Sequence, residues 1–136
     1  MSNFFENKVV AVTGGSDGIG KALVEKLLVL GAKVATCARN QDKLYDLQLS
    51  HSTMPLHCVV ADVSDYNSCA LFINSTIKQF GGIDILINNA GVSMRSLLKD
   101  AELEVFKKVM DINYFGSVYC TKLALPSILE RQGTIV

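Results

Sequence analysis

Charge of either sign is not in excess in this sequence, because thirteen lysines and arginines face thirteen aspartates and glutamates. Nucleic acid and anionic membrane surfaces are therefore not expected partners, since both are bound through a surplus of cations. A chain this close to neutrality has a slight tendency to self-associate. No apolar run approaches the roughly 20 residues of a membrane span. Residues 1–7 (MSNFFEN) are interrupted by polar and acidic side chains, so they form no signal-peptide core. The expectation is a soluble, cytoplasmic protein with no membrane partner. Cysteine pairs at metal or redox spacing are lacking: Cys37, Cys58, Cys69 and Cys120 form no Cys-x-x-Cys pair and read as small buried hydrophobes rather than a metal or redox centre. His51 and His57 lack a matching ligand set and read as surface or packing residues. Repeats, low-complexity segments and linkers are also missing, so residues 1–136 read as one domain.

What is present is enough apolar material for a core, at 49% hydrophobic and 19% charged residues. Short apolar runs alternate with amphipathic segments. Residues 8–13 (KVVAVT) are β-branched and apolar, as a strand buried on both faces requires. A helix is expected over 18–30, with Ile19, Leu23 and Leu27 in one stripe widened by Val24 and Leu28, and Gly31 as the stop. A second strand at 33–38, a short polar helix at about 41–49 carrying Leu44 and Leu47, and a third strand at 56–61 follow. Ser64 is expected to cap a helix whose apolar face is Cys69, Phe72, Ile73, Thr76, Ile77 and Phe80, ended by Gly81 and Gly82. A fourth strand is read at 83–87. Asp100 is read as the cap of a helix bearing Leu103, Phe106 and Met110. A last helix spans about 115–131, with a kink or break expected at Pro126. Residues 134–136 (TIV) open a fifth strand. This alternation predicts an α/β fold with a parallel sheet and helices on both faces.

The first strand runs straight into Thr13-Gly14-Gly15-Ser16-Asp17-Gly18-Ile19-Gly20 and then a helix. Glycines let the backbone turn tightly and approach a phosphate, and a helix N-terminus offers unpaired N–H groups with positive potential. A strand, glycine-rich turn and helix in this order is the dinucleotide-binding device. No Gly-Lys-Ser/Thr follows, so the turn is not a P-loop. Taken alone, the cluster is also compatible with a plain tight turn.

Four segments in order narrow the reading. Thr13 to Gly20 (Thr-Gly-x-x-x-Gly-x-Gly), Asp62-Val63 after strand three, Asn88-Asn89-Ala90-Gly91 after strand four, and Asn113 in MDIN resemble the short-chain dehydrogenase/reductase family. The resemblance covers essentially the whole chain. It implies a Rossmann-type doubly wound parallel sheet, truncated at its C-terminal side. It implies that Gly14, Ser16, Asp17, Gly18 and Ile19 line the pyrophosphate and adenosine ribose, while Gly20 allows close packing of helix on strand. Asp62 would accept from the adenine amino group, with Val63 beside the ring; an Asx-type turn before Ser64 is the other reading of Asp62, and both can hold. Asn89, Ala90 and Gly91 would lie under the ribose and nicotinamide, and Asn88 would brace the central sheet. Asn113 would take the place of the catalytic asparagine that helps hold a water in a proton relay; otherwise it is a polar helix residue satisfied by backbone.

Cofactor choice turns on Thr36-Cys37-Ala38-Arg39-Asn40. A ribose 2′-hydroxyl is usually held by an acid at this point, and a 2′-phosphate needs a cation. Ala38 stands where NAD-preferring relatives place aspartate, and the Arg39 guanidinium suits a phosphate. NADP(H) is therefore expected over NAD(H), the other reading of Arg39 being a solvated loop charge. Asp17 weighs mildly against this, because a carboxylate in the glycine turn repels phosphate.

In the family a tyrosine moves the alcohol proton, a lysine lowers its pKa, and a serine orients the carbonyl, in an interconversion of an alcohol and a ketone or aldehyde. The Tyr-x-x-x-Lys pair and the serine would lie beyond the fifth strand. None of Tyr45, Tyr66, Tyr114 and Tyr119 is followed by lysine at the fourth position, and residue 123 is Leu. The chain reads as a truncated and by itself inactive part of such an enzyme; a non-catalytic nucleotide-binding or oligomerisation module is the alternative. A homo-oligomeric parent is expected, and open edges should make the piece poorly soluble unless it pairs.

Overall fold

The run VVAVT at Val9–Thr13 forms β1, the middle strand of the sheet, and all five of its residues are buried. A computed structural model describes residues 3–136 of the chain. The other strands are β2 (Lys33–Ala38), β3 (Leu56–Val60), β4 (Ile85–Ile87) and β5 (Thr134–Ile135). Every pairing is parallel, and the order across the sheet is β3-β2-β1-β4-β5. The helices are α1 (Gly18–Val29), α2 (Gln41–Ser50), α3 (Tyr66–Phe80), α4 (Leu103–Met110) and α5 (Gly116–Glu130).

Successive side chains of a strand point to opposite faces, and both faces of β1 are covered. Val10 and Val12 join Val34 of β2 under Val24, Leu27 and Leu28 of α1 and Leu47 of α2. Ala11 and Ala35 face the other way, against Phe72 and Ile73 of α3 and Cys120, Ala124 and Ile128 of α5. At the sheet's lower rim the Asp84 carboxylate accepts from the Val9 amide at 2.7 Å and from Arg131 at 3.1 Å, tying β1 and the end of α5 to the start of β4.

The strands and helices stand where the hydrophobic pattern put them, with ends shifted by one or two residues. The exceptions have local causes. Asp65, not Ser64, caps α3, accepting from the Ser68 amide at 2.7 Å; the Ser64 hydroxyl is bound instead to the Asp62 carboxylate. Asp100 caps nothing. It ends a 3-10 turn at Leu98–Asp100, extended Ala101 intervenes, and α4 starts after Glu102 with no side-chain cap. α5 runs through Pro126 to Glu130 without a break. The carbonyl that Pro126 leaves without a donor belongs to exposed Lys122, where water can serve it. The irregularity lies earlier, in a π-type segment at Asp111–Phe115, where the Gly116 amide reaches back to the Asp111 carbonyl. Ile19 is not part of the α1 core stripe but is 77% exposed. The apolar stripe of α4 has no buried residue among those described, and Leu103 is 80% exposed. No described helix is long and apolar enough to cross a membrane.

Phe72 is completely buried between sheet and α5. Phe72→Ala is expected to cost about 3–5 kcal/mol in urea denaturation. Leu71→Ala, at an exposed position of the same helix, should stay within about 0.5 kcal/mol. A cost below about 1 kcal/mol at Phe72 would mean that α3 does not pack on the sheet as described.

Candidate functional site

β1 is paired with β2 on one side and β4 on the other, so the chain leaves its C-terminal end in one direction and β4's in the other. Such a reversal opens a crevice at the carboxyl ends of parallel strands. A cavity of about 550 Å³ lies there. It is lined by all eleven residues expected to hold a cofactor: Gly14, Ser16, Asp17, Gly18, Ile19, Arg39, Asp62, Val63, Asn89, Ala90 and Gly91.

One hydroxyl holds the two walls together. Buried Thr13, the last residue of β1, accepts through Oγ1 from the Asn89 and Ala90 amides, each at 3.0 Å. Asn89 returns the contact, donating through Nδ2 to the carbonyls of Thr13 at 3.0 Å and Gly14 at 3.2 Å. Asn89 therefore braces β1 against β4, while the Asn88 amide donates to the Val136 carbonyl at 2.8 Å on the β5 side. Asn88 faces α5, where its Nδ2 donates to Thr121 Oγ1 at 3.2 Å and its Oδ1 is buried without a partner among the described residues. The alternation of side chains past the end of β4 separates the two roles.

The glycine turn is shaped by backbone need. Gly14 has φ +73°, and a methyl group there would lie 2.9 Å from the Ala90 Cα. Gly20 packs so closely that a methyl group would sit 2.2 Å from the Gly14 carbonyl and 2.4 Å from Asn89 Nδ2. Around Gly18, by contrast, the space a side chain would take is open. Asp17 caps α1, accepting from the Gly18 amide at 2.8 Å. The next two amides of the first turn, Ile19 and Gly20, have no acceptor among the described residues, the configuration that binds anions at helix N-termini.

Asp17 is also ion-paired with Lys43 Nζ, from the first turn of α2. The lysine's hydrogen bond, then that of Gly18, and then the lysine's field hold the Asp17 carboxyl below its ordinary pKa. Arg39, exposed at the end of β2, lines the cavity beside Lys43 and makes no ion pair among the described residues.

On the adjacent wall Asp62 Oδ1 accepts from the Ser64 amide at 2.9 Å and its hydroxyl at 2.7 Å, forming the Asx-type turn. Partial burial raises the Asp62 pKa, but the two Ser64 hydrogen bonds and the fields of Arg39 and Lys108 outweigh it, and the net shift is downward. Val63 is buried beside it.

Asn113 stands apart. It sits in the π-type segment and does not line the cavity. Its Oδ1 accepts from the Val92 amide at 2.8 Å and its Nδ2 donates to the Val92 carbonyl at 2.7 Å. Both ends of the side chain are engaged by the backbone of Val92, which does line the cavity, and Asn113 itself is exposed beside Gly91. Reading from the sequence passed over Lys43, Val92 and Ile112 as wall residues and Thr13 as the clamp behind them. Thr13 had its motif as a signal; Lys43 had none, being one charge in a polar helix. Burial pushes the Cys37 thiol up to about 12, which keeps it neutral beside the cleft. No metal-binding group of three or more His, Cys, Asp or Glu occurs among the described residues.

This architecture defines a dinucleotide-type crevice in a doubly wound sheet. The family described as short chain dehydrogenase matches residues 8–136, and the chain belongs to it. It is 41% identical over 95% of its length to "Dehydrogenase/reductase SDR family protein 7-like" of Anopheles gambiae, covering 43% of that protein. It is 40% identical over 95% of its length to "Dehydrogenase/reductase SDR family member 7B" of Rattus norvegicus, covering 42% of it. It is 38% identical over 97% of its length to "11-beta-hydroxysteroid dehydrogenase-like 2" of Arabidopsis thaliana, covering 45% of it. The chain thus spans less than half the length of these relatives. The apo form of LigO from Sphingobium sp. strain SYK-6 superposes with a TM-score of 0.91 at 29% identity, over 96% of this chain and 50% of that one. A variant of a Serratia marcescens short-chain dehydrogenase/reductase superposes with a TM-score of 0.86 at 26% identity, over 91% and 52%. The family is one of oxidoreductases that bind nicotinamide dinucleotides. The residues here fit such a group: two first-turn amides have no acceptor among the described residues, the space beside Gly18 is open, and one cleft is lined by residues from Arg39 to Gly91.

Two outcomes follow. Gly20→Ala drives a methyl into the Gly14 carbonyl and should destabilise the fold by about 1–3 kcal/mol in chemical denaturation. Asp62 titrates lower when folded than when unfolded, so its stabilisation is present above the ordinary carboxylate range and is lost as pH falls through the lowered value. Asp62→Asn should therefore be less stable than the parent in urea at about pH 6, with the gap narrowing at about pH 3. A gap that widens in acid would contradict the Ser64 turn as its cause.

Proposed function

We propose that the chain is the cofactor-holding part of an NADP(H)-preferring oxidoreductase that interconverts an alcohol and a ketone or aldehyde on a small molecule. The observation that carries the cofactor preference is Arg39, exposed on the cleft wall without an ion-pair partner among the described residues, next to Ala38 where an acid would favour NAD. A nicotinamide dinucleotide supplies or accepts the hydride when bound. The chain's own residues bind and orient it. The α1 first turn meets the diphosphate, Gly14 and Gly18 let it approach, and Arg39 meets the 2′-phosphate. Asp62 receives the adenine amino group with the Oδ1–Ser64 turn fixing its carboxylate, and Val63 flanks the ring. Asn89, Ala90 and Gly91 form the floor on the nicotinamide side. Asn113 serves as a positioning residue: its two bonds to Val92 set the floor's far edge, and its placement in the π-type segment supports the relay role implied by the family.

The serine and Tyr-x-x-x-Lys elements are not among these 136 residues, so the chain by itself is proposed to bind nucleotide without turnover. Self-association is proposed through the uncovered side chains of α4 and α5, including Leu103 and Leu129. A cytoplasmic setting accords with four unpaired cysteines.

Titration of NADP(H) and NAD(H) followed by calorimetry tests the preference. Arg39→Ala should weaken NADP(H) about tenfold or more and leave NAD(H) within about threefold, since a charge-assisted bond is lost from one ligand only. An unaltered ratio between the two would remove Arg39 from the 2′-phosphate.

A further inference from the structure

The ion pair between Lys43 and Asp17 has no explanation in the folding of either helix. Lys43 is the third residue of α2, whose N-cap is Asn40, accepting from the Lys43 amide at 3.0 Å. A cation in a helix's first turn opposes the macrodipole, which there favours an anion. Asp17 needs no lysine to cap α1, since its Oδ1 already accepts from Gly18, while its Oδ2 meets the ammonium. Both side chains lie largely in water, at 50% and 73% exposure, where an ion pair adds little stability. The pair does have one distinctive property. It joins the first turns of α1 and α2 across the mouth of the cleft, within the same cavity as Arg39.

We propose that Lys43 is a second specificity-determining cation, which pairs with Arg39 around a ribose 2′-phosphate and is parked on Asp17 when no such phosphate is present. This rests on the reading that the cleft takes a dinucleotide. The charges support it. Asp17 alone would repel a phosphate and offer a carboxylate to a 2′-hydroxyl, which is the NAD-type arrangement. Paired with Lys43 it is neutralised, and Arg39 on the same cleft is left without an ion-pair partner among the described residues, the acid in its field, Asp62, being engaged by the Ser64 amide and hydroxyl. Lys43 also helps to hold the Asp17 carboxyl below its ordinary pKa, so the carboxylate is ionised and available to receive the ammonium. Asp42, the neighbouring acid on α2, lines a separate groove against β3 and not the cleft, and it makes no ion pair with either cation. When the 2′-phosphate arrives, the flexible lysine stem lets the ammonium bridge phosphate and Asp17 or pass from one to the other. Asp17 thus sets the resting place of Lys43 rather than binding ribose.

The test uses adenosine 2′,5′-bisphosphate and 5′-AMP as probes, which need neither nicotinamide nor substrate residues, with affinities from calorimetry. The parent should prefer the bisphosphate. Lys43→Met keeps the aliphatic stem and should weaken the bisphosphate about tenfold, equal to about 1.4 kcal/mol, leaving 5′-AMP within about twofold. Lys43→Arg should retain the preference. Asp17→Asn should strengthen the bisphosphate about threefold by releasing the ammonium. The Lys43→Met loss should shrink as salt rises. If Lys43→Met leaves the probe ratio intact while Arg39→Ala abolishes it, the dinucleotide reading stands and Lys43 is only a surface partner of Asp17. If the folded parent, checked by circular dichroism, binds neither probe, both readings fall together.

Discussion

The hydroxyl oxygen of Thr13 holds the cleft in shape. β1 and β4 are adjacent in the sheet, but beyond their C-terminal ends the backbone ladder stops and the two loops are free to part. Thr13 Oγ1 accepts the Asn89 and Ala90 amides, and Asn89 Nδ2 reaches back to the Thr13 and Gly14 carbonyls. These four bonds continue the sheet by side-chain means past the point where strand pairing ends. Their Thr13 end is buried, where an unmade bond leaves a polar group unsatisfied. Gly20 must lack a side chain because Asn89 and Gly14 occupy the space it would need. The position of the α1 N-terminus over the cleft thus follows from a threonine, an asparagine and a glycine acting together.

Electrostatics in a chain of zero net charge are decided locally. The first turns of α1 and α2 and the side chains of Arg39 and Lys43 meet at one edge of the cleft, and Asp17 and Asp62 are both held ionised by the donors around them. Within about 10 Å, the reach of a charge in ordinary salt, such an arrangement outweighs the overall balance. The apolar side chains of α4 and the outer face of α5 obey a different constraint. Their helical periodicity is that of a packed face, yet the described residues leave Leu103, Met110 and Leu129 uncovered.

Much of the fold was legible because its signals are short-range. β-branched runs such as VVAVT can be buried on both faces in few other ways, and the stripe Cys69, Phe72, Ile73 and Thr76 has only one helical face to occupy. The glycine turn was equally readable, since spacing and following helix sit in one segment. Caps were harder. Ser64 and Asp65 are chemically equivalent candidates, and only the engagement of Ser64 by Asp62 decides between them. Pro126 removes one hydrogen bond, to the carbonyl of exposed Lys122, and the helix continues through it. Asn88 and Asn89 differ by one residue, and which of them braces β1 against β4 depends on the direction each side chain takes after β4.

By itself the amino-acid order determined the alternation of strands and helices, the parallel sheet, and the glycine-rich bend at the first helix, because each rests on periodicity or on a contiguous motif. Tertiary structure alone decided which distant residues share a wall. Lys43 reaches Asp17 across 26 positions, Asn113 grips Val92 across 21, and Thr13 clamps Asn89 across 76. No local propensity encodes such meetings. They come from the strand order β3-β2-β1-β4-β5, which brings the C-terminal ends of separate segments to one rim, and from the direction in which each side chain leaves that rim.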